Sequence, residues 1–379
     1  MNSNGYITYD QTVSIAKECM GNKDIRRIIS NRIQFLFVDE FQDTSNSIYS
    51  IIDNIRKEKK TKIYCVGDPE QHIQSFDSGI KTFANIPILK CAKSSQFEVV
   101  LNKKNHRASQ GITSFINNFN GRQFGDEVFE QESQSEEESE KVRFISDFGN
   151  ITQMIPKFFG LCDELLIDNT ERCLIAKKND VVNRISASLN HNIITPKKSG
   201  NLSPIKEIKA TLLASLDMNH TEFCQKYNVD EFGITKYSIQ IFKAIRTGVI
   251  TNENTFGNFV QNELGLKLAS AVPFKINNLR INMSPDKIDD AVIVSNIHNY
   301  KGLESDAVFA IAKTQDELKL WLETNFDTRD LYRDKETTDY PRLGYVAFSR
   351  ARKLLCIGCL EQIDDLTIQK LEDFDVEII

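Results

Sequence analysis

Residues 35–45 read Phe-Leu-Phe-Val-Asp-Glu-Phe-Gln-Asp-Thr-Ser (FLFVDEFQDTS), four apolar residues running straight into acids. An apolar run this short, bounded by charge, is the pattern of a strand buried on both faces of a parallel sheet. Such sheets take ligands beyond the carboxyl ends of their strands, so Asp39 and Glu40 stand where phosphate chemistry is expected. A second strand pattern, 62–67, ends in Asp68-Pro-Glu-Gln71 and delivers Asp68 and Gln71 to the same edge. Hydrolysis of a nucleoside triphosphate needs a carboxylate near Mg²⁺, a base or water-positioning group, and a polar sensor of the γ-phosphate. Asp39, Glu40 and Gln71 are candidates for those three roles; an acidic pair on the surface is the alternative.

Outward from this stretch, strand patterns (35–39, 62–67, 97–101) alternate with helical ones, carried by Ile48, Ile51, Ile52 and Ile55 and then by Ile112, Phe115, Ile116 and Phe119. That alternation is the signature of an α/β fold with a parallel sheet. A helix is expected to open at Asp10, its side chain capping the following N–H groups, with Val13, Ala16, Cys19 and Met20 as its apolar stripe. The run Glu130 to Glu140 (EQESQSEEESE) has no apolar residue and is expected to be a solvated linker. After it, strand patterns return at 141–146, 172–176, 291–296, 307–312 and 354–359, with amphipathic helices between about 200 and 285. The expected organisation is a first α/β domain over 1–128, an acidic linker over 129–141, a second α/β domain over 142–199 and 286–379, and a helical insertion over 200–285.

The net charge of −6 argues against coating nucleic acid through bulk charge, while leaving room for a local basic groove. The eight cysteines lack paired metal-ligand spacing, which points to a reduced, intracellular protein, expected in the cytoplasm. Cys356-Ile-Gly-Cys359 is formally a CxxC, but in a strand its two cysteines face opposite ways. No apolar run approaches the roughly 18 residues needed to span a bilayer, so no membrane partner is expected.

Further segments carry chemistry in a fixed order. Asn105-His106-Arg107 precedes a helix pattern; His298-Asn-Tyr-Lys301-Gly302-Leu-Glu304 follows a strand; Tyr345-Val-Ala-Phe-Ser-Arg350-Ala351 closes a helix before another strand. With Asp39-Glu-Phe-Gln-Asp-Thr44 and Gly67-Asp-Pro-Glu-Gln-His-Ile73, this series resembles the UvrD/Rep/PcrA-type superfamily 1 helicases. In that family DExxDT is the Walker B motif, GDxxQ(S)I motif III, NYR motif IV, HxxKGLE motif V and YVAxTRA motif VI. The resemblance covers roughly residues 5–120, 142–190 and 286–360.

The resemblance implies two RecA-like parallel-sheet domains, the first one incomplete, with a small helical insertion in the second. It implies ATP and Mg²⁺ as cofactors. Asp39 would hold the metal, Glu40 would orient or deprotonate the attacking water, and Gln71 and Arg107 would contact the γ-phosphate. Arg350 would reach across as an arginine finger. Asp68, Gly302 and Glu304 would belong to the nucleotide site, and His298 would tie nucleotide state to strand contact. Phe76, His298 and Lys301 would face single-stranded DNA; Phe76 is a stacking platform or a core residue, and Asp77 beside it would repel phosphate.

The chain departs from the family in having no GxxGxGK(T/S) phosphate loop and no motif Ia, so it is expected to be N-terminally incomplete. Its short insertion resembles compact UvrD-like helicases, including the helicase of Gabija-type anti-phage systems. Two readings follow. The chain is a 3′-to-5′ DNA translocase or helicase acting on single strands or on duplex with a 3′ overhang, in DNA repair or antiviral defence. Alternatively it is a non-catalytic remnant or subunit that binds single-stranded DNA or a partner protein, a nuclease subunit or the missing N-terminal segment, and needs a Walker A segment in trans.

Overall fold

A computed structural model describes residues 9–73, 83–135, 140–189, 191–195, 204–230, 232–269, 291–331 and 338–379. The chain divides into two compact units, Met1–Pro196 with Asp290–Ile379, and Lys197–Asp289.

In the first unit, β1 (Phe35–Val38) and β2 (Lys62–Cys65) pair in parallel, with Phe35 opposite Lys62 and Val38 opposite Cys65. The helix Asn46–Lys57 joins them, opened by Ser45, whose Oγ accepts from the Ile48 amide. Its Ile52 packs with Leu36, Val38, Ile63 and Cys65 on the inner face of this sheet, together with Phe41 and Cys91. The expectation that this strand is buried on both faces is not met: on the outer face Phe35, Phe37, Tyr64 and Val66 are exposed, and the rings of Phe37 and Tyr64 stack on each other at 5.0 Å.

Four short strands follow. β3 (Lys104–Asn105) pairs with β6 (Glu132–Ser133), and β4 (Gln123–Phe124) pairs with β5 (Glu127–Val128). Part of the acidic run therefore lies in a strand, because Glu132 and Gln134 donate their amides to the carbonyls of Lys103 and Asn105. The strand expected over 97–101 does not form: Val99 and Val100 are exposed, and no strand lies beside them among the described residues.

The remaining strands are β7 (Arg143–Ile145), β8 (Arg172–Ala176), β9 (Asn192–Ile194), β10 (Ala291–Asn296), β11 (Ser305–Ala312), β12 (Ala351–Cys359) and β13 (Glu377–Ile378). They form one seven-stranded sheet in the order β13-β7-β12-β11-β8-β10-β9, parallel throughout. The fold is α/β with a parallel sheet, consistent with a RecA-like helicase fold. The sheet has a core on each face, and Cys359 belongs to one core while Cys356 belongs to the other, as strand alternation requires. All eight cysteines are free.

The helix Gln110–Asn117, grouped by sequence with the first domain, packs into one of these two cores through Ile112, Phe115 and Ile116. The helix Tyr340–Phe348 is buried along its whole length. Gly344 makes that possible, since a Cβ there would meet the Trp321 Cβ at 2.6 Å and its Cα at 2.7 Å. The first described helix, Tyr9–Gly21, begins before Asp10, which therefore lies in its first turn, not at its cap; Met20 is buried and Cys19 exposed.

The second unit contains the helices Pro204–Leu216, His220–Tyr227, Gly233–Arg246 and Glu253–Asn258. Ile208, Leu212 and Leu216, spaced four apart, share its core with Phe223, Ile234 and Ile241. No described helix is long and apolar enough to cross a membrane.

Candidate nucleotide site

The aligned register of β1 and β2 brings their carboxyl ends side by side. The Val66 amide donates to Val38 at 2.8 Å and the Phe41 amide to Val66 at 2.9 Å, so Asp39 and Glu40 lie next to Gly67 and Asp68. Gly67 is required for this approach: a Cβ there would meet Gln42 Oε1 at 2.3 Å. That oxygen accepts from the Asp68 amide, and Gln42 Nε2 donates to Glu40 Oε2 at 2.6 Å. Glu40 is left-handed (φ 49°), an uncommon conformation for a residue with a side chain and one found disproportionately at functional sites. Asp39 is exposed and its Oδ1 accepts from the Glu40 amide at 2.8 Å.

Gln71 ends the turn Pro69–Gln71. Its Nε2 donates to Asp68 Oδ2 at 3.1 Å, and its Oε1 receives Arg350 Nη2 at 3.3 Å. Asp68 also accepts from Tyr345 Oη at 2.9 Å. Burial and the neighbouring Glu70 push the Asp68 carboxyl up, and burial with Asp68 likewise raises the Tyr345 hydroxyl. Asp68 thus supports Gln71 from behind.

Arg350 follows the buried helix and is itself buried. It donates Nε to the Val346 carbonyl at 3.0 Å and Nη2 to Ser349 Oγ at 2.8 Å. Burial, then the nearby Arg107, lowers its pKa to about 10. Among the described residues this guanidinium is held by main-chain and neutral side-chain oxygens, with no carboxylate in an ion pair with it. Arg107 donates Nη1 to the Ser349 carbonyl at 3.4 Å and pairs with Glu304. Glu304 is also 3.4 Å from Arg352; against the opposing effect of desolvation, the two guanidiniums hold its carboxyl below the usual range.

Lys301, grouped by sequence with the DNA-facing residues, lies beside Asp43, Gln71 and Glu40. Its ammonium lies 2.5 Å from Asp43 Oδ2, 2.8 Å from the Gln71 carbonyl and 3.6 Å from Glu40 Oε2, and its side chain is only 6% exposed. On the far side of Asp43, His72 Nδ1 sits 3.4 Å from Oδ1. Burial opposes ionisation of Asp43, but His72 and Lys301 outweigh it and hold the carboxyl below its usual value. His298 is half-buried on the short helix Ile297–Tyr300. Gly302 has φ +88°, which explains the glycine, although open space surrounds the position where a Cβ would stand. Phe76 and Asp77 lie outside the described residues.

The structure thus joins Glu40, Asp68, Gln71, Lys301 and Arg350 in one network, with Arg107 and Glu304 as an adjoining pair. Sequence reading missed His72, Tyr345 and Gln42 as members. The histidine was signalled only by its place in GDxxQ(S)I, where the family has serine. Among the described residues no group of three or more His, Cys, Asp or Glu could hold a metal. Mg²⁺ takes as few as one or two carboxylates and completes its shell with water and phosphate oxygens, so a metal held by Asp39 would need no such group.

Residues 1–87 match the profile of the UvrD/REP helicase N-terminal domain. Two curated proteins named RecBCD enzyme subunit RecB are similar over short segments. That of Buchnera aphidicola subsp. Schizaphis graminum is 39% identical over 62 residues, covering 16% of this chain and 5% of that protein. That of Buchnera aphidicola subsp. Baizongia pistaciae is 31% identical over 116 residues, covering 30% and 9%. The matches thus span less than a tenth of those relatives. A solved C-terminal domain of a possible DNA helicase from Lactobacillus plantarum WCFS1 aligns with 72% of this chain and 98% of its own, at 12% identity and a TM-score of 0.33. The similarity is thus of residues 1–87 to the UvrD/REP helicase N-terminal domain and of short segments to RecB.

Proposed function

We propose that this chain supplies most of the catalytic side chains of an ATP-dependent, UvrD-type DNA translocase that moves 3′ to 5′ on single strands. The observation that carries the reading is the approach of buried Arg350 to Gln71, 3.3 Å apart although 279 residues separate them in sequence. A cation and a neutral amide converge there with Glu40 nearby, the set that hydrolysis of a γ-phosphate calls for. Gln71 and Arg350 would hold the γ-phosphate oxygens and Glu40 the attacking water. Arg107 would join them once released from Glu304. Mg²⁺ on Asp39 would neutralise charge on the phosphates. DNA would meet Phe76 and the His298 region. Domain bounds of 1–128, 142–199 with 286–379, and 200–285 complete the reading.

These 379 residues contain no glycine-lysine loop to cradle the β-phosphate. In this reading that loop comes from a segment or polypeptide beyond them. The exposed outer face of the β1–β2 sheet, with Phe35, Phe37, Tyr64 and Val66, supports this, because parallel sheets are ordinarily covered on both faces. The missing cradle removes several charge-assisted contacts, each contributing about 1.5 to 3 kcal/mol, so the chain alone should bind ATP weakly. The test is ATP hydrolysis with single-stranded DNA, measured with and without a phosphate-loop segment supplied in cis or in trans. Turnover only with the segment, abolished by Glu40→Gln, supports the proposal. No turnover in either arm counts against catalysis and favours a non-catalytic DNA- or partner-binding role.

A further inference from the structure

Beside the nucleotide-facing group lies a second set of charges that the proposed chemistry does not use. Glu70, adjacent to Gln71, is buried, and each of its oxygens meets a different guanidinium. Arg122 Nη2 is 2.6 Å from Oε1 and Arg329 Nη2 is 2.6 Å from Oε2. Arg122 makes two further bonds to Asp330, at 2.9 and 3.0 Å. Arg342 donates Nε to the His72 carbonyl at 2.9 Å, reaches Asp339 at 3.5 Å, and lies 4.0 Å from the centre of the Phe83 ring. Glu70, Asp330 and Asp339 thus balance Arg122, Arg329 and Arg342, so the set leaves no net charge for a ligand.

The partners come from distant stretches of chain. Glu70, His72 and Phe83 follow β2, whereas Arg329 ends the short helix Phe326–Arg329 and Arg342 lies on the buried helix Tyr340–Phe348. Buried ions of this kind are satisfied in a single relative arrangement, because separation leaves charges unpaired away from water. The fork geometry of three guanidiniums narrows that arrangement further. The cluster also abuts the group that matters: Gln71 is the next residue after Glu70, and Arg342 shares its helix with Tyr345, which supports Asp68.

We propose that the Glu70 cluster is an interlock that holds the β1–β2 side of the first unit against the large sheet without nucleotide, so that Gln71 and Arg350 are preset. This goes beyond the hydrolytic reading and does not depend on it, since its test reads no turnover. The test is hydrogen–deuterium exchange of the full chain, without nucleotide, in the wild type and in Glu70→Gln, which keeps the side-chain shape but removes the charge. In the wild type, peptides spanning 68–73 and 340–348 are expected to exchange nearly as slowly as β11. In the variant those two peptides should exchange at least about 10-fold faster while β8 and β11 are unchanged. Should Glu70→Gln fail to fold, Arg122→Lys, which keeps the charge and loses the fork, should give the same pattern at about 3-fold or more. Fast exchange of both peptides in the wild type, unchanged exchange in the variants, or acceleration spread equally over β8 and β11 would each overturn the interlock.

Discussion

Replacing Lys301 with methionine, which roughly keeps the length of the side chain and removes its charge, isolates the centre of the charged network around Asp43 and Gln71. The Asp43 side chain is 19% exposed and would retain only His72, at 3.4 Å. Breaking a buried pair by removing one partner costs about 3 to 5 kcal/mol, and the residual solvent access of Asp43 places this case at about 3 kcal/mol. The sign of the pH dependence follows from Asp43, whose carboxyl is held below its ordinary 3.8 in the folded protein. A depressed carboxyl contributes stability that is present above the unfolded value and lost as pH falls through the folded one. The variant lacks that contribution, so its deficit should be full at about pH 7 and should narrow only as the pH falls below 3.8 toward the depressed folded value. The assay is urea unfolding followed by fluorescence of Trp321, the single tryptophan, which is buried in the first unit and so reports that unit. With a slope of about 3 kcal/mol per M, the midpoint should drop by about 1 M near neutrality. A drop under about 0.2 M, or one that does not shrink as the pH is lowered below the ordinary carboxyl value of 3.8, would refute the pairing on which the network rests.

If the proposed hydrolysis is supported by a supplied phosphate-loop segment, Glu40→Gln should leave nucleotide binding nearly intact while hydrolysis falls by orders of magnitude, as separate binding and turnover assays would show. Arg350→Ala should reduce turnover by about 10³-fold; an effect near unity would make it a packing residue. Gly344→Ala should cost about 3 kcal/mol, because the added methyl meets Trp321 backbone, whereas Gly160→Ala, with nothing within 4 Å, should be neutral or slightly stabilising; thermal unfolding of the two variants decides. Titration of the folded protein with a thiol reagent should modify exposed Cys19 rapidly. Cys173 and Cys356, fully buried with burial pushing their thiols up, should react only on unfolding.

The parallel α/β fold was legible because its signals are local. Four apolar residues before Asp39 and the opposite facing of Cys356 and Cys359 are consequences of strand periodicity, which a sequence states directly. The order of the charged motifs was legible for the same reason. The segment 97–101 shows the limit: Val99 and Val100 have strand-forming side chains, but a strand exists only where a neighbour takes its hydrogen bonds, and none stands beside them among the described residues. Tertiary structure alone decided which charge meets which. Lys301 and Asp43 are 258 residues apart, and Glu70 and Arg329 are 259 apart. Lysine, histidine and arginine look equally suited to solvent in a sequence, and their roles here depend on burial beside particular carboxylates. That burial is set by the packing of β2 and its following turn against the helices over the large sheet, a property of the folded chain and of no segment within it.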